Sequence, residues 1–408
     1  MNRRVHRARR VALLTLPALV AITGVMSASA APPGDETVVI GLRNPRGLDM
    51  SADGKLYVAE GGEAGDVCFE GAETEEGGPQ CAGLSSRISR VDVKTGTRSD
   101  FITGLLSVGG PLFAIGASGV AVQGNQVFGL MGGNDQTIPP ADVCGGGPEC
   151  TAIVATAAAQ LGHLLRGVPS GDWSWKQDVG AFNYQWTVDN KSTIGGTDPA
   201  YQPGWAENPD FQPGDANPYG LTNAPGGTYM VDGGSNTLTW LPQNGAPQVL
   251  VAFPQPDPPA GPTNPVPYDA VPTCVTTSGH SIVVSDLQGR IFVVDGSSLT
   301  VQPNSVTMPA GQFFVAAGGC AADGRGNVYV SDIFTGSLLK LSLATMTMSW
   351  VRPPGTLNFP SGVAIGRDGS IYVANNSVCP SFPTGPSGDP ANPNPCEGVT
   401  GSIVRFGV

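Results

Sequence analysis

Phe359-Pro360-Ser361-Gly362-Val363-Ala364-Ile365-Gly366-Arg367-Asp368-Gly369-Ser370-Ile371-Tyr372-Val373-Ala374-Asn375 is the stretch whose reading decides the fold. Residues 363–365 and 371–373 are short β-branched runs, and Asp368-Gly369 between them supplies the positive φ angles of a tight hairpin turn. The same hairpin recurs five more times. Asn44-Pro45-Arg46-Gly47-Leu48 leads through Asp53-Gly54 to Leu56-Tyr57-Val58-Ala59-Glu60, and Asn217-Pro218-Tyr219-Gly220-Leu221 leads through Gly226-Gly227 to Tyr229-Met230-Val231-Asp232. A worn copy keeps Ser118-Gly119-Val120-Ala121-Val122 and Val127-Phe128, and the last two carry cysteine, in Thr273-Cys274-Val275 and Gly319-Cys320-Ala321.

Each hairpin is followed by a third strand, seen as Ser86-Arg87-Ile88-Ser89-Arg90-Val91 in the first copy and Gly401-Ser402-Ile403-Val404-Arg405-Phe406 in the sixth. After the first, third and fifth copies a short turn leads to a fourth strand, at 101–102, 248–253 and 348–351. Units of this length with four strands each predict an all-β, six-bladed β-propeller with four antiparallel strands per blade. The sixth unit lacks its fourth strand, and the strand-like run 37–42 precedes the first hairpin. That run is therefore expected to close the last blade, so that no edge is left unpaired.

Residues 1–30 read as a signal peptide. Arg3, Arg4, Arg7, Arg9 and Arg10 precede an apolar run over 11–25, and Ala28-Ser29-Ala30 offers a small-residue cleavage site. The run is shorter than the roughly 20 apolar residues of a spanning helix, so no membrane span is expected after cleavage. The Arg9-Arg10 pair leaves the twin-arginine and general routes both open. The mature chain, 31–408, then carries 16 basic against 33 acidic residues, a formal charge of −17. Nucleic acid is a poor partner for such a chain. With 58 glycines, 37 prolines and only 13% charged residues, the composition suits one turn-rich domain, expected to be a monomer.

All eight cysteines fall in the mature part, and an even number in an exported chain favours disulfides. Locality pairs Cys68 with Cys81, Cys144 with Cys150 and Cys379 with Cys396. Cys274 and Cys320 remain, at what read as equivalent positions of neighbouring units, and are expected to bridge two blades. No Cys-x-x-Cys spacing supports zinc.

In an antiparallel four-stranded blade, the entries to first strands and the links from second to third strands emerge on one face of the ring. The long insertions 61–85, 131–161 and 376–399 are links of that kind, and the connectors 183–216 and 254–270 are entries. One face is therefore decorated and the other nearly bare, which makes the decorated face the functional candidate. The alternative is that these are tolerated insertions. The acidic segment with Glu63, Asp66, Glu70, Glu73, Glu75 and Glu76 reads as a solvated loop, with a weak calcium site as the alternative.

The chemistry on offer is sparse. His163 and His280 are the only histidines of the mature chain, and no Gly-x-Ser-x-Gly elbow or His-Glu-x-x-His helix occurs, so histidine-based hydrolysis is disfavoured. Glu60, Asp232, Asp286, Asp332 and Asn375 recur at second-strand ends. They can form a calcium ring, but acids at this place more often accept hydrogen bonds from their own following turn. Trp173, Trp175, Trp186 and Trp205 concentrate before and within the 183–216 connector, either as a stacking surface or, the favoured reading, as the private core of an insertion.

Asn44-Pro45-Arg46-Gly47-Leu48, Gly162-His163-Leu164-Leu165-Arg166, Asp215-Ala216-Asn217-Pro218-Tyr219-Gly220, Val231-Asp232-Gly233-Gly234-Ser235-Asn236-Thr237-Leu238 and Val271-Pro272-Thr273 resemble the ScyD/ScyE family of exported propellers, over most of the mature chain. The departures are Ser235 before Asn236, Cys274 after Pro-Thr, and the cysteine-stapled loops. The resemblance implies fold and export but no reaction.

The leading expectation is a secreted, extracytoplasmic, non-catalytic binding or scaffold propeller without a cofactor, its partner an extracellular small molecule or glycan. The alternative is a metal-dependent hydrolase of the sugar-lactone (gluconolactonase-like) propeller type. The candidate ligand residues are Asn44, Arg46, Asn217 and Tyr219, at inner-strand entries on the decorated face. A guanidinium there can hold a carboxylate or phenolate. Equally, Arg46 can tie down a loop carbonyl or pair with an acid of the 61–85 insertion.

Overall fold

The computed structural model describes residues 35–73, 79–110, 114–134, 136–139, 147–168, 170–190, 215–253, 270–302, 306–377 and 400–407. The expected signal peptide, Cys144, Cys379, Cys396, Glu75, Glu76 and Trp205 lie outside them.

Six antiparallel sheets follow one another around a ring. Strand β1 (Glu36–Leu42) is set aside for the end of the chain. Blade one comprises β2 (Pro45–Met50), β3 (Lys55–Glu60), β4 (Val67–Glu73), β5 (Pro79–Asp92), β6 (Thr97–Gly109) and β7 (Ala114–Ile115). Blade two holds β8 (Ala117–Gln123), β9 (Gln126–Met131), helix α1 (Pro148–Gln160), β10 (His163–Gly167), β11 (Trp173–Asp178) and helix α2 (Val179–Asp189). Blade three is β12 (Pro218–Ala224), β13 (Gly227–Asp232), β14 (Thr237–Pro242) and β15 (Gln248–Ala252). Blade four is β16 (Pro272–Ser278), β17 (Ser281–Asp286), β18 (Ile291–Asp295) and β19 (Val301–Gln302). Blade five is β20 (Ala317–Ala322), β21 (Asn327–Asp332), β22 (Ser337–Ser342) and β23 (Thr347–Arg352). Blade six is β24 (Val363–Ile365), β25 (Ile371–Asn375) and β26 (Gly401–Phe406). Its outermost strand is β1, paired with β26 from Glu36↔Arg405 to Leu42↔Gly401. The ring closes as its strand count predicts.

The seam is also clamped by side chains. Arg352 of blade five donates to both carboxylate oxygens of the buried Asp35, from Nε at 2.8 Å and Nη2 at 2.5 Å, and its guanidinium lies over the Phe406 ring. Between blades, alternate strand residues fill apolar layers. Ile88, Leu105, Met131 and Leu165 pack at the first boundary, and Val283, Val330, Leu339 and Leu341 at the fourth. Each such side chain, fully buried, contributes roughly 1.5–3 kcal/mol.

Towards the axis there is no room for side chains. A Cβ on Gly47 would lie 2.7 Å from Gly119 Cα, one on Gly220 2.7 Å from Thr273 O, and one on Gly362 2.1 Å from Arg46 O. At this position every blade carries glycine except blade four, which carries Cys274. Because that Cβ direction always meets the next blade, the Cys274 sulfur reaches blade five and is bonded to Cys320, with Cα atoms 5.7 Å apart. The bridge is as expected, but the two cysteines are not equivalent. Cys274 pairs with Ser285, one residue before Asp286, whereas Cys320 pairs with Val330, two before Asp332. Similar spelling in the two repeats hides this offset of one.

Several sequence expectations need correcting. The insertion 61–85 is not simply a solvated loop: β4 and the first half of β5 form a hairpin bridged by Cys68–Cys81. The insertion 131–161 holds helix α1, in which Cys150 is disulfide-bonded. Phe69, Ala82, Leu106, Val108, Ile138, Cys150, Ala157 and Leu161 join in a core of their own, so these insertions form an ordered lobe on the decorated face. Fourth strands also exist in blades two and four. Trp173 and Trp175 belong to β11, stacked edge-to-face at 5.0 Å, and Trp175 packs against the core between blades one and two. They are part of a blade and not of an insertion. Alternation within six residues was too short a signal for that strand.

Candidate functional site

Every innermost strand enters from the decorated face, and those of blades one to five bulge after their first residue. The register shifts at Pro45/Leu48, Ala117/Gly119, Pro218/Gly220, Pro272/Cys274 and Ala317/Gly319. An extra residue turns locally out of the pleat at each. Two rings of residues result at the axial mouth. The bulge ring is Arg46, Ser118, Tyr219, Thr273, Gly318 and Ser361, and the entry ring just above it is Asn44, Gly116, Asn217, Val271, Ala316 and Phe359. Some bulge residues knit the blades together: Ser118 Oγ donates to Pro218 O at 3.0 Å, and Thr273 Oγ1 to Ala317 O at 2.8 Å.

Arg46 and Tyr219, from blades one and three, meet across blade two. The guanidinium lies over the Tyr219 ring, 5.7 Å from its centroid. It is 3% exposed, and its Nη2 donates to Ala114 O at 2.7 Å, where Asn44 Nδ2 also donates at 3.3 Å. Arg46 thus does tie down a carbonyl, that of β7 at the edge of the lobe. Burial lowers its pKa, and interaction with Tyr219 partly opposes this. The acid of the insertion, Glu63, pairs instead with Arg43. Asn217 Oδ1 accepts from Gly133 N at 2.8 Å, and Tyr219 is half-buried.

Asp232, Asp286 and Asp332 are the turn acceptors that their position favours, whereas Glu60 is not. Asp232 Oδ1 takes the N–H groups of Asn217, Gly234 and Ser235, while Oδ2 takes Asn183 Nδ2 of α2 at 2.8 Å. Asp332 takes Phe334 N, Thr335 N and Val315 N. Asp286 takes Gln288 N and Arg290 N and pairs with the Arg290 guanidinium. Glu60 takes Arg43 N at 2.6 Å and the Ser89 hydroxyl. Burial raises the pKa of Asp232 and Asp332, and pushes Asp286 up to about 6. A calcium or catalytic metal would have to displace these bonds, so the carboxylates do not fit it. Among the described residues no group of three or more His, Cys, Asp or Glu side chains is arranged to hold a metal.

His163 faces Trp175 at 5.7 Å, and its Nε2 is 3.9 Å from Asp178. Sequence reasoning passed over Ala114, whose carbonyl has no side-chain signal, and the entry residues Val271 and Phe359. Aligning the six copies on their axial glycine, with Cys274 in its place, would have set both beside Asn44 and Asn217.

No family model and no curated protein matches the chain. Solved structures do. A luciferin-regenerating enzyme is 9% identical over 92% of this chain and 95% of its own, with a TM-score of 0.50. A streptogramin B lyase is 11% identical over 91% and 96%, with a TM-score of 0.43. A protein described as a putative oxidoreductase (glucose dehydrogenase) from Thermus thermophilus is 15% identical over 91% and 98%, with a TM-score of 0.43. At 9% identity the likeness to the luciferin-regenerating enzyme bears on the fold alone.

Proposed function

We propose that the chain is an exported propeller that binds a small acidic molecule at the axial mouth of its decorated face and catalyses no reaction on it. The observation that carries this reading is the meeting of Arg46 and Tyr219. A guanidinium held away from water exerts its field at low dielectric strength, and the Tyr219 hydroxyl and the Asn217 amide supply polar groups beside it. Positive charge at the mouth of a chain with net charge −12 favours an anion there over elsewhere on the surface. The disulfides Cys68–Cys81 and Cys274–Cys320 support an oxidising compartment. No helix among the described residues is long and apolar enough to cross a membrane. The ScyD/ScyE resemblance and the basic-then-apolar N-terminus support export, with cleavage after Ala30.

The test is a thermal-shift screen of small carboxylates and neutral sugars on the full chain, repeated on Tyr219→Phe, which keeps the ring and removes the hydroxyl. Acids are expected to raise Tm in the parent and to lose that effect in the variant. Hits confined to neutral sugars, or acid hits indifferent to Tyr219, would sink the reading. Lactone turnover abolished by a chelator would replace it with the hydrolase. N-terminal sequencing of protein from the culture medium checks the export step.

A further inference from the structure

The side chains of the entry ring are uneven in a way that its backbone bonds do not explain. Asn44, Val271 and Phe359 occupy the same place in blades one, four and six, and all three have left-handed backbones, with φ of 54°, 46° and 41°. Asparagine tolerates that conformation, whereas valine and phenylalanine are disfavoured there. Asn44 is buried and hydrogen-bonded to Ala114. Phe359 has the unfavourable backbone and yet is 38% exposed, so core burial does not compensate for the strain. The turn itself is structural, since Phe359 O accepts from Ser377 N at 3.1 Å as Asn44 O does from Gly61 N at 2.9 Å. What these bonds do not require is a phenylalanine, and that strained choice points to a role in function.

Its surroundings say what that role is. Blades one to three present Asn44, Arg46, Asn217 and Tyr219. Blades four to six place Val271, Ala316 and Phe359 in the entry ring, Ala316 fully buried, and their polar bulge residues Thr273 and Ser361 are buried as well. The two halves adjoin where blade six meets blade one, as Gly362 N donates to Arg46 O at 2.9 Å. Just outside the apolar half, Val315 is 41% exposed on the same face. A buried cation thus lies beside an exposed apolar surface, and nothing purely polar or purely apolar matches both.

From this we infer that the ligand is an amphiphilic carboxylate, its acid group on the Arg46–Tyr219 side and its apolar body on Phe359. The inference rests on the axial binding site proposed above and adds the ligand class.

Three probes separate the contributions by calorimetry on the full chain: 4-phenylbutyrate, 4-phenylbutanol, which keeps the body without the charge, and gluconate, which keeps the charge without the body. The first is expected to bind at millimolar concentration or below, gluconate at least about tenfold more weakly, as loss of roughly 60 Å² of apolar burial implies, and 4-phenylbutanol at least about tenfold more weakly, as loss of charge-assisted hydrogen bonds implies. Phe359→Asn supplies the residue that the left-handed backbone prefers. It is expected to weaken 4-phenylbutyrate about tenfold while Tm holds or rises, a pairing that a structural role would not produce. Unchanged affinity in Phe359→Asn, a marked fall in its Tm, or no 4-phenylbutyrate binding overturns the inference. Gluconate binding as tightly as 4-phenylbutyrate, with both lost in Tyr219→Phe, overturns the ligand class and leaves the site. Binding of every probe indifferent to Tyr219 removes the site as well.

Discussion

The two halves of the axial mouth share one backbone and differ in how it is satisfied. In blades one to three the entry and bulge residues other than Gly116 are polar, and Asn44 and Arg46 hold Ala114 while Asn217 holds Gly133. In blades four to six the entry residues are apolar and partly strained, at Val271 and Phe359, the polar bulge residues Thr273 and Ser361 are buried, and a disulfide joins blades four and five. A repeat fixes the path of the chain, and the side chains placed on that path are then free to specialise.

The sharpest way to break the comparison is at the line where the halves meet. Gly362→Val would force a Cβ to within 2.1 Å of Arg46 O. A loss of more than about 3 kcal/mol is expected, and urea unfolding checks it. Next is the apolar half alone. Replacing Cys274 and Cys320 together by serine opens a link across 46 residues and should cost about 4 kcal/mol by chain entropy, read as a lower denaturation midpoint that reducing agent no longer shifts.

The polar half is weaker. Arg46→Ala removes a charged donor from Ala114 O, a carbonyl that Asn44 also serves, so a loss of about 1.5–3 kcal/mol is expected, with hydrogen exchange rising first in β7. Val271→Asn should go the other way, gaining about 1 kcal/mol by relieving the left-handed valine. An unchanged or lower Tm would show that this position is not strained.

The smallest effect is electrostatic. Burial raises the Asp49 pKa to about 6, although Val122 N and Met50 N donate to its carboxylate. A carboxylate raised in the folded state destabilises above that pKa, and the penalty fades as pH falls towards its ordinary value. The parent should therefore gain stability between pH 7 and pH 4.5 from this group. Asp49→Asn should flatten the profile by an amount on the order of 1 kcal/mol. A profile equally steep in the variant would assign the pH dependence to Asp232, Asp286 and Asp332.

By itself the sequence determined what depends on near neighbours. Hairpins with Asp-Gly turns, alternating β-branched runs and their sixfold recurrence specify strands, blades and a ring, and the unmatched third strand at the C-terminus predicts the role of 37–42. Asp232, Asp286 and Asp332 at second-strand ends are legible for the same reason, since each takes N–H groups from the next few residues. Tertiary structure decided what depends on distant partners. The lobe is ordered because α1 and the β4–β5 hairpin bury a shared core that neither segment shows alone. The offset between Cys274 and Cys320 comes from the direction of one Cβ at the axis. Arg46 meets Tyr219 because bulges in blades one and three aim both at the mouth, over a sequence separation no local pattern spans. Phe359 stood at the head of the most informative stretch in the chain, and only its left-handed backbone and its exposure set it apart.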